Sequence, residues 1–202
     1  TLQNKEGIIK FLNVIKSENK RMNNQVERVL QMSLLDKKDF QLDMKDCHIH
    51  PLLEQVVNNV RVQLERNGGQ IEYDPLAEND LVQVDEQHFL NVMYNLMDNA
   101  IKYSDASPRI ELHTASQPSW LTISVEDRGI GIRQEDLKRI FDRFYRVSTG
   151  NIHDVKGFGL GLSYVKAMVK EFGGDIRVSS QIGKGSRFEL FLPVKTRDYG
   201  EG

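Results

Sequence analysis

Four short segments rich in asparagine or glycine follow one another through the second half of the 202-residue chain. They are Asn95-Leu-Met-Asp-Asn99-Ala-Ile-Lys102-Tyr103, Asp127-Arg-Gly129-Ile-Gly131, Gly157-Phe-Gly159-Leu160-Gly161-Leu162 and Gly183-Lys-Gly185-Ser. Each alone is a weak signal, because a lone pair of glycines is more often a tight turn than a phosphate cradle. Their occurrence together, in order and about 30 residues apart, predicts a nucleotide pocket.

Asn91, Asn95 and Asn99 recur at every fourth position, so a helix through this segment would present the three amides on one face. The other faces carry residues that can supply a core, namely Phe89, Leu90, Met93, Leu96, Met97 and Ala100. A row of amides on the buried side needs a polar partner. The spacing alone leaves open the alternative of a wet or capped helix surface.

The elements that must position these segments follow from apolar periodicity and from the glycines and prolines. Helices are predicted over Pro51–Arg66, over Glu86–Tyr103 with Asp85 as its cap, and over Leu160–Phe172. Strands are predicted over Gln70–Asp74, Leu81–Asp85, Arg109–Ser116, Trp120–Asp127, Asp175–Ser180 and Ser186–Pro193. The third and fourth strands should form one hairpin, and the last two strands should form another.

In order and spacing, the four segments closely resemble the N, G1, G2 and G3 boxes of the ATP-binding catalytic domain of bacterial sensor histidine kinases. Phe141-Asp-Arg143-Phe144-Tyr-Arg146 resembles the F box of the same family, and the resemblance spans roughly residues 48 to 195. It implies an α/β fold: a two-layer sandwich of a mixed sheet with helices on one face, the Bergerat-type ATP-binding fold, preceded by a long N-terminal helix.

The resemblance also implies roles for the residues of the N box. Asn95 and Asn99 would bind Mg²⁺ beside the triphosphate of ATP, as suits a cation that keeps phosphate and water ligands. Lys102 would reach a phosphate oxygen, and Tyr103 would wall the base side of the pocket. Asn91 lies outside the motif and is expected on the helix surface.

Asp127 would accept the exocyclic amine proton of adenine, which guanine does not offer in the same place. Gly129 and Gly131 would let the backbone pass close to the base. An aspartate that merely forms a turn is the alternative, and for Asp127 alone it is the better one.

The F box would hold the root of a mobile lid through its aromatic residues, Phe141 and Phe144, while Arg143 and Arg146 meet the terminal phosphates. Without the family, these are core aromatics and a solvated arginine face. Residues 148–155 have the composition of a lid that closes over nucleotide. After it, Gly157, Gly159, Leu160, Gly161 and Leu162 lead into a helix whose first amides suit phosphate, and Gly185 closes the pocket edge.

Residues 1–36 are predicted to form one long helix, because Ile8, Leu12, Ile15, Asn19, Met22, Val26, Val29 and Ser33 follow a heptad spacing. By resemblance this is the second helix of the dimerisation and histidine-phosphotransfer hairpin, through which a homodimer would form. An amphipathic helix packed on its own domain is the alternative. Residues 37–49 would be a linker, 50–195 the catalytic ATP-binding domain and 196–202 a tail.

Composition sets limits on the partners. The chain is 39% hydrophobic and 28% charged, and it contains no stretch of about 20 apolar residues. A membrane would be reached only through segments outside this chain, which would be a cytoplasmic domain of an inner-membrane protein; the start at Thr1 suggests a fragment. A net charge of -2 with interspersed signs argues against nucleic acid, and the single cysteine, Cys47, excludes an intrachain disulfide.

The phosphoacceptor that such a kinase requires is not visible among these residues. The family carries it in a His-Glu-x-Lys/Arg-Thr-Pro segment on the preceding helix, and no such segment occurs here. The five histidines are therefore expected to be structural or surface residues: His48, His50, His88, His113 and His153.

The sequence thus predicts the ATP-binding catalytic region of a sensor histidine kinase, which passes the ATP γ-phosphoryl group to a histidine outside this chain and from there to a response regulator. One alternative is a related ATPase, such as that of DNA gyrase or of a mismatch-repair protein. Those place a glutamate base where this chain has Asn95, and an amide cannot take a proton at neutral pH. The other alternative is a non-catalytic module that senses nucleotide.

Overall fold

The computed structural model describes residues 11–12, 15–16, 19, 41–66, 68–104, 107–147 and 158–195. The chain divides into two units, Thr1–Phe40 and Gln41–Gly202. In the first unit the described positions are helical, as predicted, and the side chains of Phe11, Leu12 and Ile15 are exposed. The remaining positions of the heptad pattern, and the tail over 196–202, lie outside the described residues.

The second unit alternates strands and helices. Its elements are β1 (Lys45–His48), α1 (Ile49–Glu65), β2 (Gln70–Pro75), β3 (Leu81–Val84), α2 (Glu86–Lys102), β4 (Arg109–Gln117), β5 (Trp120–Asp127), α3 (Gln134–Leu137), α4 (Gly161–Glu171), β6 (Asp175–Gln181) and β7 (Gly185–Pro193). Asp85 caps α2 as predicted, because its side chain accepts a 3.1 Å hydrogen bond from the backbone amide of His88.

The main sheet has five strands in the order β2-β4-β5-β7-β6. Strands β4 and β5 form the first predicted hairpin, with Ile110 opposite Asp127, and β6 and β7 form the second. Strand β2 runs parallel to β4, whereas the other three pairs are antiparallel. The sheet is therefore mixed, as expected.

The core lies between this sheet and a layer made by α1, α2 and α4. Helix α2 contacts both other helices and β5, α1 contacts β2, and α4 contacts β6. Fully buried side chains come from both layers, among them Leu53, Phe89, Met93, Leu112, Ile123 and Met168. The alternate positions of the strands are largely polar or charged, and Arg187 on β7 pairs there with Glu126 on β5 at 3.4 Å. This is the predicted two-layer sandwich with helices on one face.

The predicted linker over residues 37–49 is wrong in its last five residues. Residues 45–48 form β1, which pairs antiparallel with β3 in a second small sheet, and α1 already begins at Ile49. His48 and His50 both contact Asp80, through a 2.7 Å bond from His48 Nδ1 and a 3.0 Å bond from the His50 amide. The segment Lys45-Asp-Cys-His lacks the alternation of a strand, and its strand conformation comes from pairing with a distant segment.

Across the part of the chain that the structure describes, no helix is long and apolar enough to cross a membrane.

Candidate nucleotide-binding site

Asp127 lies buried at the end of β5, with only 6% of its surface exposed. Its Oδ1 accepts hydrogen bonds from the backbone amides of Gly129, at 2.9 Å, and Ser186, at 3.3 Å. Burial raises the pKa of the carboxyl to about 6, although the two backbone bonds oppose that rise. Asp127 is therefore still mostly ionised at neutral pH, and its position is set by the protein's own backbone.

The backbone of three segments converges on this carboxylate. A Cβ on Gly185 would stand 1.8 Å from the carbonyl oxygen of Asp127, and a Cβ on Gly129 would stand 2.2 Å from that of Tyr103. The Ile130 carbonyl accepts a 2.9 Å bond from the Gly183 amide, and Gly131 has a φ of +71°. Glycine is thus required at positions 129 and 185 because a side chain would collide with backbone.

Asn95, one of the amide residues of α2, lies against the start of α4. Asn95 is half-buried, and its Nδ2 donates a 2.8 Å hydrogen bond to the carbonyl oxygen of Asn91 one turn earlier. Its Oδ1 would lie 2.9 Å from a Cβ on Gly161, so the side chain of Asn95 sits against the first residue of α4. Asn99, one turn further along α2, is half-buried as well.

Asn91 is not the surface residue that was expected. It is half-buried, and its side chain approaches the hydroxyl of Tyr164 on α4 closely enough to oppose the rise in that group's pKa. The expectation was wrong because spacing along α2 cannot reveal which residue of a later helix lies opposite.

Lys102 and Tyr103 lie together at the end of α2. Lys102 Nζ pairs with Asp98 Oδ2 at 2.5 Å, one turn back. Burial raises the pKa of the Tyr103 hydroxyl, and the positive charge of Arg146 partly offsets this rise. Arg146, from the predicted F box, is therefore close enough to Tyr103 for their electrostatic interaction to matter.

The two described segments that flank the predicted lid are joined by a hydrogen bond. The amide of Phe144 donates a 3.0 Å hydrogen bond to the carbonyl oxygen of Gly159. Phe144 is 67% exposed and its φ is +62°, so its backbone, and not its ring, makes this contact. Phe141 is half-buried, and its ring centroid lies 5.3 Å from Lys166 Nζ. Arg143 is exposed. Gly157 and the rest of the predicted lid lie outside the described residues.

At the entry to α4, the two leucines of the glycine segment differ in burial. Leu160 is buried, whereas Leu162 is half-buried beside the first residue of the helix. The hydroxyl of Ser163 donates a 2.9 Å bond to the Leu160 carbonyl. This first turn is stabilised by a hydrogen bond between its own residues, and it packs against α2 where Gly161 meets Asn95.

One anchor of the F box was missed from sequence. Asp136, only 4% exposed, accepts hydrogen bonds from the hydroxyl of Tyr145 and, at 2.8 Å, from Arg133 Nε. Arg139 stacks on the Tyr145 ring, with its guanidinium carbon 4.2 Å from the ring centroid. No sequence signal distinguishes Asp136 from a solvated acidic residue of a short helix.

The donor groups available for a metal ion are neutral. Within the described ranges, no cluster of three or more His, Cys, Asp or Glu side chains could hold a metal. The amide oxygens of Asn95 and Asn99 are hard donors of the kind that Mg²⁺ accepts, but two neutral ligands leave its charge unbalanced. The chain therefore fits a magnesium ion that arrives with an anionic ligand such as a polyphosphate.

A buried carboxylate at the end of the central strand β5, and the amide of Asn95 against the start of α4, are the arrangement expected of a nucleotide-binding domain. The model of the histidine kinase-, DNA gyrase B- and HSP90-like ATPase family matches residues 84–196, more than half of the chain. The chain belongs to that family of ATP-binding domains. Within it, the relatives below place the chain among the catalytic domains of sensor histidine kinases.

Sensor protein RprX from Bacteroides fragilis (strain YCH46) is 45% identical over 187 residues, which cover 92% of this chain and 36% of RprX. Sensor histidine kinase WalK from Bacillus subtilis (strain 168) is 34% identical over 197 residues, covering 96% of this chain and 32% of WalK. The chain thus spans about a third of the length of these relatives.

Among solved structures, full-length ShkA in complex with AMPPNP matches with a TM-score of 0.80 at 22% identity, covering 93% of this chain and 39% of ShkA. The histidine kinase AdeS of Acinetobacter baumannii matches with a TM-score of 0.71 at 23% identity, covering 89% of this chain and 82% of AdeS. At these identities the likeness concerns the fold.

Proposed function

We propose that this chain is the part of a sensor histidine kinase that binds ATP with Mg²⁺ and donates its γ-phosphoryl group to a histidine outside these residues. The observation that carries the proposal is Asp127, a buried carboxylate that is oriented by two backbone amides at the end of β5. The sensor kinases among its relatives, and the ATP analogue bound by ShkA, support the same reading.

Asp127 would select the base. Its ionised carboxylate accepts the exocyclic amine proton of adenine. Guanine has a carbonyl oxygen at the same place, so two hydrogen-bond acceptors would face each other with no hydrogen between them. An unpaired buried acceptor is costly, so guanine nucleotides should bind much more weakly.

Asn95 and Asn99 would hold the metal, and Lys102 would place a positive charge at the phosphates. Mg²⁺ when bound neutralises charge on the phosphate oxygens. Arg143 and Arg146 of the F box would approach the terminal phosphates, and the amides that begin α4 would face the same region. These residues position the γ-phosphoryl group and balance its charge while the acceptor attacks.

The remaining partners belong to the whole protein. We propose that residues 1–36 pair with the missing helix of the phosphotransfer hairpin and with a second copy of the chain, giving a homodimer. A response regulator would then receive the phosphoryl group, as in other two-component systems. Segments outside this chain would attach it to the inner membrane, with this part on the cytoplasmic side.

Asn95 favours phosphotransfer over hydrolysis. The gyrase-like ATPases of the family use a carboxylate at this place to activate water. Here the amide of Asn95 donates to the Asn91 carbonyl and has no basic atom at neutral pH. The site should therefore preserve ATP until an acceptor histidine arrives.

Calorimetry with ATP, ADP and GTP, each with and without Mg²⁺, tests the proposal. We expect the chain to bind the adenine nucleotides in a Mg²⁺-assisted manner and to lose most of that affinity in Asp127→Asn. Asp175→Asn is the matched control, because Asp175 is an exposed carboxylate on β6. Equal affinity for GTP, or wild-type affinity in Asp127→Asn, would remove Asp127 from the base site.

A further inference from the structure

Tyr164 is a buried hydroxyl in the contact between α2 and α4. Only 4% of its surface is exposed, and its hydroxyl lies 2.7 Å from Nδ1 of His88 on α2. Burial raises the pKa of the hydroxyl to about 12, so it stays protonated and can both donate and accept a hydrogen bond. The Asn91 side chain approaches the same hydroxyl from the next turn of α2.

His88, Asn91 and Asn95 are spaced by three and four residues, so they form one stripe along α2 that faces α4. The first two approach Tyr164, and the third lies against Gly161, one turn earlier in α4. The two helices therefore meet at two places about one turn apart, the hydrogen bond between His88 and Tyr164 and the close approach of the Asn95 oxygen to Gly161. Asn91 takes part in both contacts, because its carbonyl also accepts the amide hydrogen of Asn95 at 2.8 Å.

This arrangement constrains the orientation of the Asn95 amide. Apolar packing between helices is non-directional and tolerates small axial shifts, whereas a hydrogen bond weakens steeply when its distance or angle changes. A shift of one residue along α2, about 1.5 Å, would break the contact between His88 and Tyr164. It would also move the Asn95 oxygen away from the start of α4.

We propose that Tyr164, held by His88, is a positioning residue that sets the register of α2 against α4 and thereby aims the Asn95 oxygen at the metal ion of the nucleotide complex. The inference rests on the proposed function, because it assigns Asn95 to the metal. Tyr164 itself touches neither the nucleotide nor the metal. Its loss should therefore weaken the contribution of Mg²⁺ to binding and spare the contacts made by the base.

The measured quantity is a ratio of two ATP dissociation constants, the one in EDTA divided by the one in excess Mg²⁺. In Tyr164→Phe, which keeps the ring, we expect this ratio to fall about 3- to 10-fold, the effect of one misplaced hydrogen-bonding group. Affinity in EDTA should stay near the wild-type value. The side-chain amide resonance of Asn95 in a ¹⁵N–¹H spectrum should shift in the same variant.

Tyr94→Phe is the matched control, because it also removes one hydroxyl from a tyrosine at this helix layer. Tyr94 lies on α2 and accepts a 2.6 Å hydrogen bond from Asn59 on α1, away from α4. We expect Tyr94→Phe to keep the wild-type ratio. His88→Ala removes the other half of the Tyr164 contact and should lower the ratio as Tyr164→Phe does, with no further loss when the two are combined.

An equal loss of affinity with and without Mg²⁺ in Tyr164→Phe would overturn the inference, since it would mark a merely structural residue. So would an unchanged ratio, or additive effects of the two substitutions. A wild-type chain that fails to bind ATP would instead overturn the proposed function, and this inference with it.

Discussion

The carbonyl oxygen of Tyr103 accepts a 2.9 Å hydrogen bond from the amide of Ile130, and this bond ties the end of α2 to the loop that follows β5. Helix α2 carries Asn95 and Asn99, and the loop follows directly after Asp127, the last residue of β5. The proposed metal end and base end of the pocket are thus joined through backbone. A change that separates them should affect both ends together.

Asp127 should make the fold less stable as the pH rises through the weakly acidic range. Burial raises the pKa of its carboxyl from 3.8 to about 6, so between these values the folded protein keeps a proton that the unfolded chain releases. The stabilisation from the neutral carboxyl is complete below the lower value and is lost as the pH passes the upper one. Asp127→Asn, which stays neutral, should therefore melt at a higher temperature than wild type near neutral pH.

Differential scanning fluorimetry from about pH 4 to pH 8 would measure this difference, which should shrink toward the acidic end. Asp175→Asn serves as control because its carboxylate is exposed. A gain in Asp127→Asn that does not change with pH would show that ionisation of the carboxyl is not its cause.

Gly183 lies in the turn before β7 and Gly185 is the first residue of β7, with one lysine between them, yet they should respond differently to alanine. A Cβ on Gly183 would meet nothing within 4 Å, so Gly183→Ala adds only the strain of its φ of +75°, about 1 kcal/mol. A Cβ on Gly185 would stand 1.8 Å from the Asp127 carbonyl. Gly185→Ala should lower the free energy of unfolding by about 3 kcal/mol or more and abolish ATP binding.

Urea denaturation and calorimetry on the two variants would test this pair. Similar losses of stability in both would mean that backbone conformation, and not the contact with Asp127, decides the effect at position 185.

Asn95→Glu should raise the rate of ATP hydrolysis and lower phosphotransfer to an acceptor helix supplied in a longer chain. The new carboxylate provides a base for water, and it can no longer donate to the Asn91 carbonyl. Asn95→Gln is the control of equal length without a base. Phosphate release with labelled ATP would follow the rate; fast hydrolysis by wild type would favour the gyrase-like alternative.

The 202 residues should not label themselves. No His-Glu-x-Lys/Arg-Thr-Pro segment is among them, and His48 and His50 are both engaged with Asp80. Incubation with γ-labelled ATP should leave no acid-labile, alkali-stable phosphate on the chain. Mass spectrometry that located phosphate on His48, His50 or His153 would refute this expectation.

Local features of the fold were predictable because local signals determine them. The start of α2 was predictable because a capping aspartate precedes an amphipathic run. The two hairpins were predictable because alternating residues flank turn residues. Strand β1 was not predictable, because its sequence lacks a strand pattern and its conformation depends on pairing with β3.

The same distinction holds within the candidate site. Residue types and spacing predict that Asn95 and Asp127 are site residues, because a row of amides and a carboxylate beside glycines can be recognised in the sequence. The contacts between Asp136 and Tyr145, and between His88 and Tyr164, arise only when separate helices or loops meet. Neither pair has a spacing that marks it in advance.

The carboxylate of Asp127 is oriented by amides of the protein itself, so its aim does not depend on what occupies the pocket. A ligand that meets it spends little interaction free energy on ordering protein groups. An inhibitor should therefore be designed first against Asp127. A small amine-bearing heterocycle without any phosphate could reach a high binding free energy per atom there, up to a ceiling of about 1.5 kcal/mol for each non-hydrogen atom. Extending such a fragment toward Asn95 would add charge and size but less binding free energy per added atom.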